Sequence, residues 1–166
     1  MKKEIHLQKE FDPPRKVKLE NIVMETLAPK HNLLDFEAWN SSKNELKGIF
    51  GPKNDWPNDV SSLEDNLRDL KNHLKEFNES RAFTYTLLDL DEKTCVGCLY
   101  IRPSLASEFD CRVDFWFRNS HKLLEGSFYS WLKTWLNKEW GFIKIAFPGR
   151  SISWTEYDEM QDLKDD

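Results

Sequence analysis

Leu63, Leu67, Leu70, Leu74 and Phe77 recur at steps of four and three, so a helix over this stretch presents one apolar stripe. Ser61 and Glu64 stand ahead of it in S-x-x-E spacing, which predicts a capping box: the hydroxyl accepts a free helix N–H and the carboxylate reaches back to the cap. About two heptads are too few for a coiled coil, and the stripe reads as a helix laid on a sheet. After Arg81 the period shortens to two. AFTYTLLD (82–89) and TCVGCLYI (94–101), joined by a turn at 90–93, predict a hairpin. Residues 103–110 connect to CRVDFWFR (111–118), where Val113, Phe115 and Phe117 alternate with Asp114, Trp116 and Arg118. A helix follows, with Phe128, Trp131, Leu132, Trp135 and Leu136 on one side, and FIKIAF (142–147) is a last strand stopped by Pro148-Gly149.

Upstream, 17–26 reads as one strand ended by Pro29, 31–39 as a short helix carrying Leu33, Leu34, Phe36 and Trp39, and 48–60, with its Gly and Pro, as a loop. Residues 1–16 form an N-terminal arm, and 151–166 an acidic C-terminal tail with a frayed end. The order is strand, helix, helix, three strands, helix, strand. The closing strand–helix–strand return requires a parallel pair, whereas the middle strands are hairpin-linked. The expected fold is α+β (α/β layered): a mixed, mostly antiparallel central sheet flanked by helices.

The chain has 166 residues, enough for one core, and 1–166 is read as a single domain. Its 24 Lys and Arg are interspersed with 29 Asp and Glu, which leaves no concentrated basic face and argues against nucleic-acid binding. No apolar run approaches the roughly 20 residues needed to span a bilayer, and the start lacks a signal-peptide core, so no membrane association and a cytoplasmic location are expected. Three cysteines cannot make a full disulfide framework. Cys95 and Cys98 have CxxC spacing but lie inside a strand, where residues three apart face opposite ways; they are read as ordinary strand residues, with no metal site.

FWFRNSHKLLEGSFYSWLKTWL (115–136) runs from strand through a polar turn into helix, a junction that can hold a phosphate on free N–H groups. The element order and the stretches WNSSKNELKGIFGPKNDWP, SLEDNLRDLKNHLKEF, RAFTYTLLDLDEKTCVGCLYIRPS, DFWFR and FPGRSISWTEYDEM together resemble a small divergent group of bacterial GNAT-like proteins, from about Val17 onward. The resemblance implies acetyl-CoA as cofactor, gripped by a turn of the form R/Q-x-x-G-x-G/A after the strand that pairs with the pantetheine arm. On this sequence Lys122 takes the basic position, Leu123 follows it, Glu125 stands where the first glycine belongs, and Ser127 takes the last small position. A carboxylate there repels phosphate. The implied cofactor set is Phe115, Trp116, Phe117, Arg118, His121, Lys122, Gly126 and Ser127. The chain also leaves little room after Phe147 for the helix and strand pair that commonly complete such a domain, and Tyr157 is the only tyrosine there for a general acid.

The implied activity is N-acetyltransfer to an amino group of a small molecule or peptide. Such transfer needs a base for the incoming amine, and Asp114 and Glu108 are the carboxylates nearest the central strand. His121 is a candidate for phosphate contact or for the base. Tyr85 and Tyr100, on neighbouring strands, are expected to face one cleft, and Trp39, Phe50, Trp56 and Trp116 to line an aromatic pocket. Gly149-Arg150 is a candidate anion holder, or Arg150 pairs with the acidic tail. An enzyme requires an open V between strands 96–101 and 111–118. The rival reading is a non-catalytic ligand-binding or regulatory protein whose gap is plugged by Leu123 or Leu124 while Trp56 and Phe50 line another cavity. A third is an interaction module, a homodimer joined through exposed aromatics.

Overall fold

The computed structural model describes residues 3–58 and 61–161. Six strands form one sheet in chain order: β1 (Lys16–Lys18), β2 (Val23–Thr26), β3 (Phe83–Leu88), β4 (Cys95–Arg102), β5 (Cys111–Phe117) and β6 (Ile145–Ala146). Neighbours are antiparallel except β5 and β6, which are parallel. That is the mixed, mostly antiparallel sheet the element order demanded. Helices α1 (Asn32–Ser41), α2 (Lys43–Leu46) and α3 (Leu63–Asn78) precede the central strands, α4 (Glu125–Lys138) links β5 to β6, and α5 (Trp154–Met160) follows β6.

The period-two alternation sorts side chains to two faces. Phe83, Tyr85, Leu87, Val113, Phe115 and Phe117 meet Phe128, Leu132 and Leu136 of α4. Cys98, Tyr100 and Trp116 meet Trp39 of α1, Leu70 of α3 and the loop aromatics Phe50 and Trp56 on the other. The first is called the α4 face and the second the α1 face.

Several boundaries differ from the sequence reading, each for a local reason. The expected strand 17–26 is a hairpin, turned where Leu19 N–H donates to the Ile22 carbonyl at 2.9 Å. The capping box of α3 is Ser62 and Asp65 rather than Ser61 and Glu64: Ser62 Oγ accepts the Asp65 N–H at 3.1 Å and the Asp65 carboxylate accepts the Ser62 N–H at 3.0 Å. Ser61 instead donates to Asn58 Oδ1 at 3.0 Å. The last strand is only two residues long, since the Asp110 carboxylate takes the N–H groups of Ile143 and Lys144 at 2.7 and 2.9 Å and removes them from the ladder. The N-terminal segment is not a free arm; Ile5, Leu7 and Phe11 pack on the α4-face core, and Tyr85 O–H donates to the Pro14 carbonyl at 2.7 Å. Part of the tail folds as α5, capped by the Ser153 hydroxyl, while the expected frayed end, 162–166, lies outside the described residues.

Cys95 and Cys98 share the α1 face, contrary to the rule for residues three apart. The register between β3 and β4 slips at Leu87 and Leu88, leaving Val96 as an extra residue, and this bulge turns Cys95 back to the face of Cys98. Burial pushes the Cys95 thiol up to about 12 and Cys98 well above its ordinary range, so both stay protonated. Gly97 sits against backbone: a Cβ there would stand 2.2 Å from the Trp116 carbonyl oxygen.

Asp35 of α1 is buried under the same face, and burial pushes its carboxyl up to about 6, partly opposed by the Asn66 side-chain amide donating at 3.1 Å. A pKa above the unfolded value favours the protonated, folded form, so the stabilisation is complete below about pH 4 and lost as pH rises through 6. Two units correspond to roughly 3 kcal/mol. Urea unfolding between pH 4 and 7 is expected to show stability falling with pH, and Asp35→Asn is expected to flatten that slope; an unchanged slope in the variant would place the titration elsewhere.

Candidate functional site

β6 pairs with β5 only at Cys111 and Arg112, so the outer edge of β5 from Val113 to Phe117 diverges from it and opens a slot. Backbone groups on such an edge need partners when the protein encloses them. The Phe115 carbonyl finds one in Arg150, whose guanidinium donates to it at 2.9 Å and to Glu125 Oε1 at 2.7 Å. The same group lies 3.7 Å from the Phe115 ring centroid. Lys122 Nζ is 3.7 Å from the second Glu125 oxygen. Glu125, which reads in the sequence as a repulsive intruder, is thus the counter-ion of a cation reaching across the slot.

This corrects the expected opening. Strands 96–101 and 111–118 are fully paired, from Gly97 opposite Phe117 to Arg102 opposite Arg112, and the V lies on the other side of β5. Nor do Leu123 or Leu124 plug it: Leu123 is fully exposed, and Leu124 lines a separate cleft of about 230 Å³ beside the β1–β2 turn. Among the described residues Arg150 pairs with Glu125, turning inward, and not with the acidic tail.

The turn after β5 is not an open loop. Residues 119–124 wind into two 3₁₀ turns that kink at His121 (φ −123°, ψ 17°), the second running into α4, and the Glu125 N–H is spent on the Lys122 carbonyl. The Asn119 N–H is likewise spent, on Ser42 Oγ at 2.8 Å. Gly126 has an ordinary helical backbone with open space where a Cβ would stand. Ser127 Oγ donates to the Leu124 carbonyl at 3.2 Å, and His121 Nδ1 lies 2.7 Å from Ser120 Oγ. Arg118 leaves the turn altogether, forming a two-pronged pair with Glu37 of α1 at 2.6 and 2.7 Å. An anion at this turn would therefore meet the side chains of Lys122 and His121 rather than a ring of backbone donors.

Asp114 is buried on the α1 face of β5 and accepts from Arg112 Nε at 2.9 Å. Burial raises its pKa, opposed by the charges of Arg112, Arg102 and Arg150. Glu108 is exposed on the connection between β4 and β5. Tyr157 is fully buried, and its hydroxyl meets Ser104 Oγ at 3.1 Å and the Leu105 N–H at 3.3 Å, pinning that connection.

The proposed pocket residues divide. Trp39, Phe50, Trp56, Trp116 and Tyr100 do come together, with ring centroids 5.0–6.0 Å apart. They fill the α1-face core, where Trp39 Nε1 donates to Asn66 Oδ1 and Trp116 Nε1 to Tyr100 Oη, both at 3.1 Å. Tyr85 stands opposite Leu99 in the ladder and points to the α4 face, away from Tyr100. Phe115 and Phe117 bury their rings under α4 and offer only backbone to the slot. Arg102, Arg112 and Trp154 also converge on the α1 face near Asp114; the alternation at 112 and 114 was the signal that pointed to one of them.

No family model matches this sequence, and no curated protein matches it. Solved structures do. Over 86% of this chain and 79% of the other, a ribosomal-protein-S5-alanine acetyltransferase from Vibrio fischeri superposes with a TM-score of 0.62 at 12% identity. A GNAT-like fold is therefore shown. A microcin C7 self-immunity acetyltransferase, solved with acetyl-CoA and AMP, matches over 77% of this chain and 70% of its own with a TM-score of 0.58 at 12% identity. This GNAT-like chain spans 65% of a Vibrio cholerae protein provisionally assigned as a ribosomal-protein-serine acetyltransferase, with a TM-score of 0.56 at 10% identity. Among the described residues no helix is long and apolar enough to cross a membrane.

Because the turn is helical and open at Gly126, Gly126→Ala is expected to raise stability by about 0.5 kcal/mol in urea unfolding. Gly97→Ala, which drives a methyl into the Trp116 carbonyl, is expected to cost more than about 2 kcal/mol in the same assay. A destabilised Gly126→Ala protein would mean the turn needs bare backbone after all.

Proposed function

We propose that this GNAT-like chain, as a single domain, is an N-acetyltransferase that carries acetyl from acetyl-CoA to an amino group of a small molecule or peptide. The observation that carries the reading is the slot between β5 and β6, where the strand edge at Phe115 is unpaired by backbone and its carbonyl is held by a side chain that can withdraw. The support from comparison is that the proteins sharing this fold include acetyltransferases, one of them solved with acetyl-CoA.

The residues fit the amide-bearing arm of such a group better than its phosphates. The edge of Phe115, Trp116 and Phe117 would pair with the arm once Arg150 swings aside, and Lys122 and His121 would meet the phosphates, with Arg118 at the far end of the turn and Gly126 and Ser127 on the first helical turn. When bound, acetyl-CoA supplies an activated thioester acyl group. The chain supplies the base: Asp114, whose burial raises its proton affinity while Arg112 orients it, would take a proton from the acceptor's ammonium group and so free the amine lone pair for attack. Neither Glu108, exposed on its loop, nor Tyr157, bonded to the 104–105 backbone and side chain, is assigned a step.

One observation favours the non-catalytic reading: the cradle is wound into 3₁₀ turns and Glu125 occupies its first small position. Calorimetric titration decides between them. Wild-type protein is expected to bind acetyl-CoA and CoA at micromolar levels, about −8 kcal/mol. Lys122→Glu is expected to weaken this at least tenfold, and Arg150→Ala to leave it unchanged or tighter because the competitor for the Phe115 carbonyl is gone. Absence of binding at millimolar ligand by folded wild type and Arg150→Ala alike would rule out the transferase and leave a ligand-binding protein.

A further inference from the structure

Arg102 closes β4 and Arg112 opens β5, and the two are direct cross-strand partners on the α1 face. Like charges directly opposite one another on a sheet repel. Asp114 acts on both electrostatically but forms a hydrogen bond with only one, Arg112, through Nε at 2.9 Å. The rest of the Arg112 guanidinium lies against the Trp154 ring, 4.8 Å from its centroid. Among the described residues no carboxylate or carbonyl accepts from Arg102; it packs in the corner of two perpendicular rings, 4.9 Å from the Phe50 centroid and 4.7 Å from that of Tyr100. Its contacts there are with ring carbons, so its N–H donors are not spent on protein acceptors.

Both arginines line a cleft of about 440 Å³, together with Lys3, His73, Glu76 and Thr84. Burial and the charge of Arg102 push His73 down to about 4, so the ring is neutral near pH 7, and its Nδ1 sits 3.2 Å from Thr84 Oγ1. Arg112 is held by Asp114, whereas Arg102 lines the cleft with no acceptor among the described residues. One guanidinium without an acceptor suits a monoanion. A planar carboxylate matches the fork of Arg102, whereas the second charge of a phosphate dianion would be repelled by Glu76 on the same wall.

We propose that this cleft binds the carboxylate of the acceptor, with Arg102 as the two-pronged donor and Arg112 as the second cation, so that the acceptor is an amine that also carries a carboxylate. The assignment of the ligand as acceptor rests on the transferase reading above; the anion site itself does not. Arg112 touches both the cleft and Asp114, so a carboxylate held there sets its neighbouring amino group toward the base.

The test uses the full chain, ¹⁵N-labelled, without acetyl-CoA, so that its outcome is separate from that of the calorimetry. Sodium acetate, sodium phosphate and sodium chloride are titrated at constant ionic strength while the Arg102 and Arg112 side-chain Nε–H signals are followed. Acetate is expected to give saturable shifts at both arginines and chloride none. Arg102→Gln is expected to weaken acetate at least tenfold with the remaining amide spectrum unchanged. Arg102→Lys, which keeps the charge but loses the fork, should fall between, and carries the test if the Gln variant does not fold. Acetate shifts no different from those of chloride, or undiminished in both variants, would overturn the site; phosphate binding more tightly than acetate would overturn the carboxylate assignment.

Discussion

The organisation of this protein depends on how one short strand ends. Because Pro148 and Gly149, with φ +81°, follow β6, its pairing with β5 ends at Ala146 opposite Arg112, and the remaining edge of β5 must be satisfied by something else. A carbonyl enclosed without a donor costs about 1–3 kcal/mol. Arg150 meets that need at Phe115, and Glu125 meets the charge that Arg150 brings. The carboxylate at the first turn of α4, the 3₁₀ winding ahead of it and the orientation of Lys122 all belong to one arrangement.

That arrangement also explains why the slot can be both part of a transferase fold and occupied by the protein's own side chain. Arg150 is a half-buried cation on a flexible stem beyond the last strand, and its bond to a neutral carbonyl is of a kind that another amide can replace. Around it the scaffold is fixed: the faces of β4 and β5 are filled by interlocked aromatics on the α4 side and by the Trp39, Trp56 and Trp116 group on the α1 side. Polar chemistry survives where the α1-face aromatics give out, at Arg102, Arg112 and Asp114. A buried carboxylate and an arginine-lined cleft therefore adjoin each other at the end of the same two strands.

Residues whose role is set by periodicity were legible in advance. The stripes of α3 and α4, the β3–β4 hairpin and the alternation in β5 fixed the order and kind of the elements, and with them the parallel return at β6. What failed were inferences from spacing across irregularities. Cys95 and Cys98 were assigned to opposite faces because a bulge at Val96 leaves no mark in the alternation. Tyr85 and Tyr100 were brought together because neighbouring strands were assumed in register by residue type, whereas the ladder sets Tyr85 opposite Leu99.

The sequence by itself determined the elements and their layering, which follow from local propensity and from a repeat of two or about four residues, and the resemblance marked the glutamate at residue 125 as out of pattern. Tertiary structure alone decided what that glutamate does. Its partner Arg150 is 25 residues away, Arg118 is drawn off to Glu37 across 81 residues, and Arg102 and Arg112 meet only through strand register. Such pairings depend on where β6 stops and how the strands align, and neither is written in the periodicity of any single segment.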